Sequence, residues 1–329
     1  VWQWAVLLLG GPTMLVGAYR SLRQVDIKLV LAYGTVSQLG FLVLVVGHGT
    51  QDAARAGLVL LLAHALFKGS LFLVVGAIDH CTGTRDLRRL SGLSRSMPLL
   101  FATACVSAAS MAGLPPLLGF VSKEGAYTAL DPTVHGWATR EGVAFLVVLV
   151  GSMMTFAYSA RFLWGAFRTQ RTKPATPVHA PGFFLQASPA LLAVGTIVLG
   201  LASGPLLEPV VGNYASFWPA SEHPLHLGLW HGWTVVLAFT LLTYAVGVVL
   251  HLRRRQVNGF QRGVAALGLP GAERGFQLTM RAVDRGALAV TGLFQRGSLP
   301  VTLGMIFVVA VAVPVGVLLM QDVPMPEHY

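Results

Sequence analysis

Eight stretches of this 329-residue chain are apolar for long enough to cross a lipid bilayer, and that alone leaves few folds open to it. They run roughly over 4–19, 29–46, 56–78, 98–129, 143–167, 187–207, 229–252 and 301–320. A spanning helix needs about 20 residues, so the first block is only marginally long enough. Lipid offers no partner to a backbone amide, so only helices and closed barrels can span it. The blocks are continuously apolar and lack the alternation of a barrel strand. The expected fold class is therefore all-α, a polytopic transmembrane bundle of about eight spans. Composition agrees. Charged residues make up 11% of the chain and apolar residues 54%, against about 25% charged in soluble domains.

The sequence carries no GxGxxG, P-loop, HExxH or CxxC pattern, which argues against a nucleotide-, cofactor- or metal-dependent enzyme. Cys81 and Cys105 show no pairing or metal spacing. Cys105 reads as a small apolar filler in a helix and Cys81 as a loop thiol. The chain opens on Val1, directly in a spanning block, and reads as a fragment that lacks its N-terminal part.

A net charge of +10 would suit nucleic acid, but its distribution suits a membrane. The first loop holds Arg20, Arg23 and Lys28, the second only Arg55. The third holds Arg85, Arg88, Arg89 and Arg95, the fourth only Arg140. The fifth holds Arg168, Arg171 and Lys173; the loop over 208–231 has none. The last long loop holds Arg253, Arg254, Arg255, Arg262, Arg274, Arg281, Arg285 and Arg296, and the C-terminal tail none. Rich and poor loops alternate throughout, which fits eight spans with the rich loops cytoplasmic and both chain ends outside. Within the last rich loop, residues 273–297 place Phe276, Met280, Val283, Leu288 and Leu293 among the arginines. This pattern predicts an amphipathic helix on the cytoplasmic membrane surface, with a plain basic loop as the alternative.

Three basic residues remain inside the spans: Lys68, Lys123 and Arg161. Lys68 lies near the middle of the third block, where a charge costs about 2.5–3.5 kcal/mol on insertion scales. A side chain about 6 Å long cannot reach the headgroups of a core about 30 Å thick, so snorkelling does not explain it. His64 stands four residues earlier, one turn away on the same helix face. A lysine taken out of water loses much of the stabilisation of its charged form, so Lys68 and His64 can pass a proton directly or through water. His64 could equally just bond a neighbouring carbonyl. Lys123 and Glu124 follow Gly113, Pro115, Pro116 and Gly119 in an unusually long block. Two consecutive prolines remove two amide donors and clash with the preceding turn, so the helix must break near 114–118. Broken helices in membranes occur where the freed backbone is buried or lines a wet cavity, and transporters use them at ion sites. The plainer alternative is a Lys–Glu pair near the outer interface. Arg161 is close enough to a helix end to snorkel. Asp79 and His80 close the third span, either to receive protons or to cap the helix in water.

Three segments resemble one family. DIKLVLAYGTVSQLG (26–40) is similar to the "DIK…LAYSTxSQxG" segment of the proton-translocating, antiporter-like membrane subunits. These occur in respiratory complex I and in multisubunit cation/proton antiporters. HALFKGSLF (64–72) is similar to their "HAxFKAxLF" helix, and GLPPLLGFVSKE (113–124) to their broken helix, "GxPPxxGFxSKE". IDHCTGTRD (78–86) resembles "DHETGTRD" of the large A subunit of Mrp-type sodium/proton antiporters, with Cys81 where an acid is expected. LHLGLWHGW (225–233) and FQRGSL (294–299) resemble later helices of that subunit.

The resemblance implies a chain that starts near the family's ninth helix. Residues 1–210 would be the C-terminal half of the proton-translocation domain, and 211–329 an extension with two spans. It implies a proton path through Lys68 and Lys123, with His64 beside them; Glu124 and Asp79 are further candidates for that path. It also implies a plasma-membrane location, companion antiporter subunits, protons and Na⁺ as transported ions, no cofactor and no nucleic acid. The alternative is an antiporter-like subunit of complex I or of a related membrane hydrogenase, driven by redox energy. A scaffold whose lysines merely pair with acids is a third reading.

Overall fold

The computed structural model describes residues 2–170, 174–219, 225–266, 272–294 and 298–320, and every regular element among them is a helix. In order these are α1 (Trp2–Arg23), α2 (Ile27–Val46), α3 (Gln51–Thr82), α4 (Leu93–Ser96), α5 (Pro98–Ala112), α6 (Leu118–Ala129) and α7 (Pro132–His135). They continue with α8 (Arg140–Phe167), α9 (Phe183–Leu201), α10 (Ser203–Ala215), α11 (Val235–Leu252), α12 (Arg254–Ala266), α13 (Ala272–Phe294) and α14 (Leu299–Met320). By contacts the chain divides into Val1–Gln261 and Arg262–Tyr329. The boundary expected at 210/211 falls inside α10.

Among the described residues seven helices are long and apolar enough to cross a membrane: α1, α2, α3, α8, α9, α11 and α14. The eighth expected span, 98–129, is present as α5 and α6, joined by the break that the prolines impose. The marginal first block is a full helix of 22 residues, because Pro12 and the polar residues at its ends are accommodated within it. The block expected from 229 starts as a helix only at Val235. Gly232 turns the chain at φ +83° and Thr234 caps the helix by accepting from the Leu237 amide. Cys81 is not a loop thiol. It is buried in the last turn of α3, where its carbonyl accepts the His179 amide.

In the first unit α3 is central and packs against α2, α5, α6, α9 and α10, while α8 packs on α1, α2, α5 and α11. The buried apolar side chains fall into two clusters. One surrounds Phe67, Leu71, Met111 and Phe162; the other surrounds Phe41, Leu60, Tyr127 and Phe145. Large apolar side chains such as Leu8, Leu61, Val150 and Leu242 face outward, as expected where the solvent is lipid.

The basic loops meet at one end of this unit. Arg85 faces Asp26 at 3.5 Å, Gln170 donates to the Leu87 and Leu90 carbonyls, and Gln261 donates to the Tyr19 carbonyl. The loops poor in basic residues meet at the other end, where Gln3 donates to the His48 carbonyl and Arg140 donates to Gln3. At the basic end the Arg88 guanidinium, bonded to Asp86, holds that carboxyl below the usual carboxylate range.

In the second unit α14 is 22 residues long, about 33 Å at the helical rise. Helix α13 covers the segment expected to be amphipathic and carries Arg274, Arg281 and Arg285 among Phe276, Met280, Val283 and Leu288. Arg296, like Arg171, Lys173 and the side chain of Leu293, lies outside the described residues.

The return of α6 onto α5 depends on Gly119. A Cβ there would stand 1.8 Å from the Ser110 carbonyl oxygen, a contact no side-chain movement relieves. Gly119→Ala is expected to cost more than about 3 kcal/mol through overpacking. In a membrane blot the subunit should be depleted, while Gly76→Ala, with nothing within 4 Å of the added atom, should leave the level unchanged.

Candidate functional site

Helix α5 ends at Ala112, and Gly113 turns the chain away at φ +85°, the left-handed region that a glycine adopts without strain. Between it and α6, Leu114–Leu117 contains Pro115 and Pro116, which have no amide hydrogen to offer. A helix end leaves carbonyls without partners. Two of these are met by side chains from elsewhere in the fold. The Lys123 ammonium donates to the Ala112 carbonyl at 3.2 Å, and the Tyr244 hydroxyl donates to the Gly113 carbonyl. On the far side of the break the Gly119 amide donates to Ser110 Oγ at 3.2 Å, and Ser110 in turn pairs with Thr196 of α9 at 2.8 Å.

Lys123 therefore folds back onto the break. It is 6% exposed and lies at the C-terminal end of α5, where the helix dipole favours a cation. In the sequence Lys123 follows the break by two turns, yet its charged end returns to the carbonyl that the break frees.

Lys68 is 4% exposed. Its ammonium donates to the Leu31 carbonyl of α2 at 3.0 Å and sits 5.9 Å from the centre of the Tyr158 ring of α8. The Tyr158 hydroxyl donates to the Gly34 carbonyl, and Gln38 donates to both the Tyr158 and Thr155 hydroxyls. So α2, α3 and α8 enclose Lys68 in a polar pocket with no carboxylate bonded to it among the described contacts. That arrangement leaves the charged form poorly compensated. His64 is half-buried, edge-on to Phe67 with ring centres 5.5 Å apart, and close enough to Lys68 for their charges to interact.

Glu124 is buried beside Lys123 but points to a different neighbour. Its Oε1 lies 3.8 Å from Nδ1 of His231, and its Oε2 is buried with no hydrogen-bond partner among the described residues. Asp79 is not gathered with these groups. It lies 11 residues beyond Lys68, about 16 Å along α3, where Arg85 approaches it at 3.9 Å at the basic end of the bundle. Arg161 donates to the Gln24 carbonyl between α1 and α2, so its head is engaged by protein.

Several residues of this site lie outside the sequence patterns: Tyr158, Tyr244 and the pair Arg55–Glu208; Gln38 and His231 fall inside the matched segments 26–40 and 225–233 but carry no signal of their own there. Arg55 donates to Glu208 at 2.8 Å and to the Leu225 carbonyl at 2.7 Å, and Asp52 accepts the Leu225 amide at 2.8 Å. These bonds pin the start of the segment over 225–234 onto α3 and α10. A usable signal exists for the pair, because Arg55 is the only basic residue of its loop and Glu208 borders a loop with none.

The family described as NADH:quinone oxidoreductase/Mrp antiporter, TM, matches residues 1–155. The chain is 33% identical over 326 residues to the Na(+)/H(+) antiporter A subunit of Bacillus subtilis, covering 91% of this chain and 40% of that protein. It is 34% identical over 272 residues to the Na(+)/H(+) antiporter A1 subunit of Staphylococcus aureus, covering 76% of this chain and 34% of that protein. The chain belongs to this antiporter-like family. A chain in the structure of the Mrp complex from a Dietzia species superposes on all of it with a TM-score of 0.74 and 37% identity, over 35% of that chain's length. The chain thus spans about a third to two fifths of the relatives it matches. All three motifs that carry the sequence resemblance lie within 1–155.

Arg55→Met is expected to lower stability by about 1–3 kcal/mol, because it strands the buried Leu225 carbonyl and unpairs Glu208. Thermal unfolding in detergent should show a reduced midpoint, partly restored in Arg55→Lys.

Proposed function

We propose that this chain is part of the A subunit of a multisubunit Na⁺/H⁺ antiporter and carries part of its transmembrane proton path. The observation that carries the reading is the pair of buried lysines. Lys68 and Lys123 each lie in a span, each has a carbonyl rather than a carboxylate as its hydrogen-bond partner, and one of them caps a broken helix. A permanently charged group would be held there at high cost, whereas a group that alternates between charged and neutral suits such a site. The relatives' names, which describe A and A1 subunits of Na(+)/H(+) antiporters, give the ion class.

In this reading a proton reaches Lys68, with His64 beside it, from the end of the bundle that carries Asp79 and the basic loops. It moves through hydroxyl groups and water toward Lys123 and leaves by Glu124. Coupling is electrostatic, since a charge on one lysine disfavours a charge on the next. The basic loops face the cytoplasm, the chain is a multi-pass protein of the plasma membrane, and other antiporter subunits complete the path. Helix α13 lies along the cytoplasmic membrane surface with its arginines toward the headgroups.

The test is sodium-driven recovery of a pH-sensitive dye in everted vesicles that carry the complete antiporter assembly, with subunit levels checked by blot. Lys68→Ala is expected to abolish recovery at unchanged subunit level. Lys68→Arg keeps the charge but cannot release a proton, and it is expected to fail as well. Wild-type recovery in Lys68→Arg would return Lys68 to a structural role. A wild type that ignores sodium would overturn the antiporter reading in favour of redox-driven pumping.

A further inference from the structure

The Glu124 carboxylate is only partly provided for by its surroundings. Its side chain is 6% exposed, its Oε2 is buried without a partner among the described residues, and its Oε1 faces the titratable ring of His231 at 3.8 Å. That distance is too long for a hydrogen bond and short enough for a small ring movement to make one. His231 is 33% exposed, so it stands between Glu124 and the surface of the protein.

The ring is not there by accident of a loose loop. Asp52 and Arg55 of α3 hold both backbone groups of Leu225, the Leu227 amide donates to Glu208 of α10 at 3.3 Å, and the side chains of Leu225 and Leu227 are buried. Six residues on from Leu225, His231 Nε2 lies 3.0 Å from the His226 carbonyl. A carbonyl only accepts, so Nε2 donates this bond, and Nδ1 is the ring atom that faces Glu124.

We propose that His231 is the proton-exchange residue at the mouth of the path, passing protons between Glu124 and water; this rests on the antiporter reading above. An imidazole ring can both accept and donate a proton, which suits it to this place. In the inward direction Nδ1 takes a proton from a hydronium ion, whose O–H bond breaks to leave water; the Nδ1–H bond then breaks as an O–H bond forms on Glu124 Oε1. The ring and the carboxyl are then both neutral. The outward direction reverses each step. Among the described residues, the other ionisable groups near this pair are Lys123 on α6, Tyr244 of α11, whose hydroxyl feels the Glu124 charge, and His226 of the same segment. Asp52 and Arg55 of α3 and Glu208 of α10 are occupied in holding the backbone.

The experiment uses the complete assembly in everted vesicles, with sodium as the driving ion, a pH-sensitive dye as the readout and free imidazole as the probe. His231→Ala is expected to lose most of its sodium-driven recovery at unchanged subunit level, and added imidazole is expected to restore it. The pH profile of the rescued variant should follow the added base rather than the wild type. If His231→Ala assembles poorly, His231→Gln carries the same test, because its amide can keep the bond to the His226 carbonyl. Full recovery in the variant, or a loss that imidazole does not relieve with an unchanged pH profile, would make His231 a packing residue and overturn the proposal. Failure of the underlying reading looks different, because then the wild type itself shows no sodium-driven recovery.

Discussion

A broken helix inside a bilayer has to find partners for its own ends, because lipid supplies none. In this chain the break at Gly113–Leu117 is what draws the rest of the site together. The Ala112 carbonyl takes the Lys123 ammonium, the Gly113 carbonyl takes the Tyr244 hydroxyl, and Ser110 binds both the Gly119 amide and Thr196. Each bond satisfies a group that would otherwise cost about 1–3 kcal/mol if left buried and unpaired. Each also fixes an element: α6 against α5, α11 against the break, α9 against both. A lysine that only needed to be tolerated would be turned toward an interface. Lys123 is turned toward the point where the backbone is most polar.

The two lysines are held by the same device in different surroundings. Both donate to a main-chain carbonyl and neither has a carboxylate partner among the described hydrogen bonds. A carboxylate at about 3 Å would fix the proton on nitrogen, since charge pairs strengthen as the dielectric falls. A carbonyl holds either the charged amine or, more weakly, the neutral one. Lys68 gains some further stabilisation from the Tyr158 ring face. On the proposed path, a site has to hold both forms in turn, and a carbonyl partner is compatible with that.

Much of this is legible in the sequence, and the limit lies at a definite kind of contact. The spans follow from the length of the apolar runs, and the break follows from Pro115 and Pro116. The importance of Lys68 and Lys123 follows from the cost of a charge at that depth. All of these are local properties of a segment and its solvent. The partners of those residues are not local. Tyr158 is 90 residues from Lys68, and Tyr244 is 131 from Gly113, whose carbonyl it meets, and nothing in either segment's periodicity marks which face makes the contact. The start of α11 at Val235 rather than 229 is hidden for a related reason. The run over 229–233 is apolar enough to continue a span, yet Gly232 and Thr234 redirect it, and the segment instead closes over α6 with the His231 ring facing Glu124.

That closure gives the outlying charges a purpose that their positions alone do not reveal. Arg55 and Glu208 bring no charge to the lysines. Bonded to each other and to Leu225, they form the clamp that lets a segment without secondary structure keep a fixed register over Glu124. A loop usually gains its place from surface turns and is mobile in consequence. Here two helices supply side chains to its backbone, and the position of one imidazole is set to within the reach of a hydrogen bond. The break demands polar groups in the interior, the lysines answer that demand, and the clamp holds His231 over Glu124 at the rim of the protein.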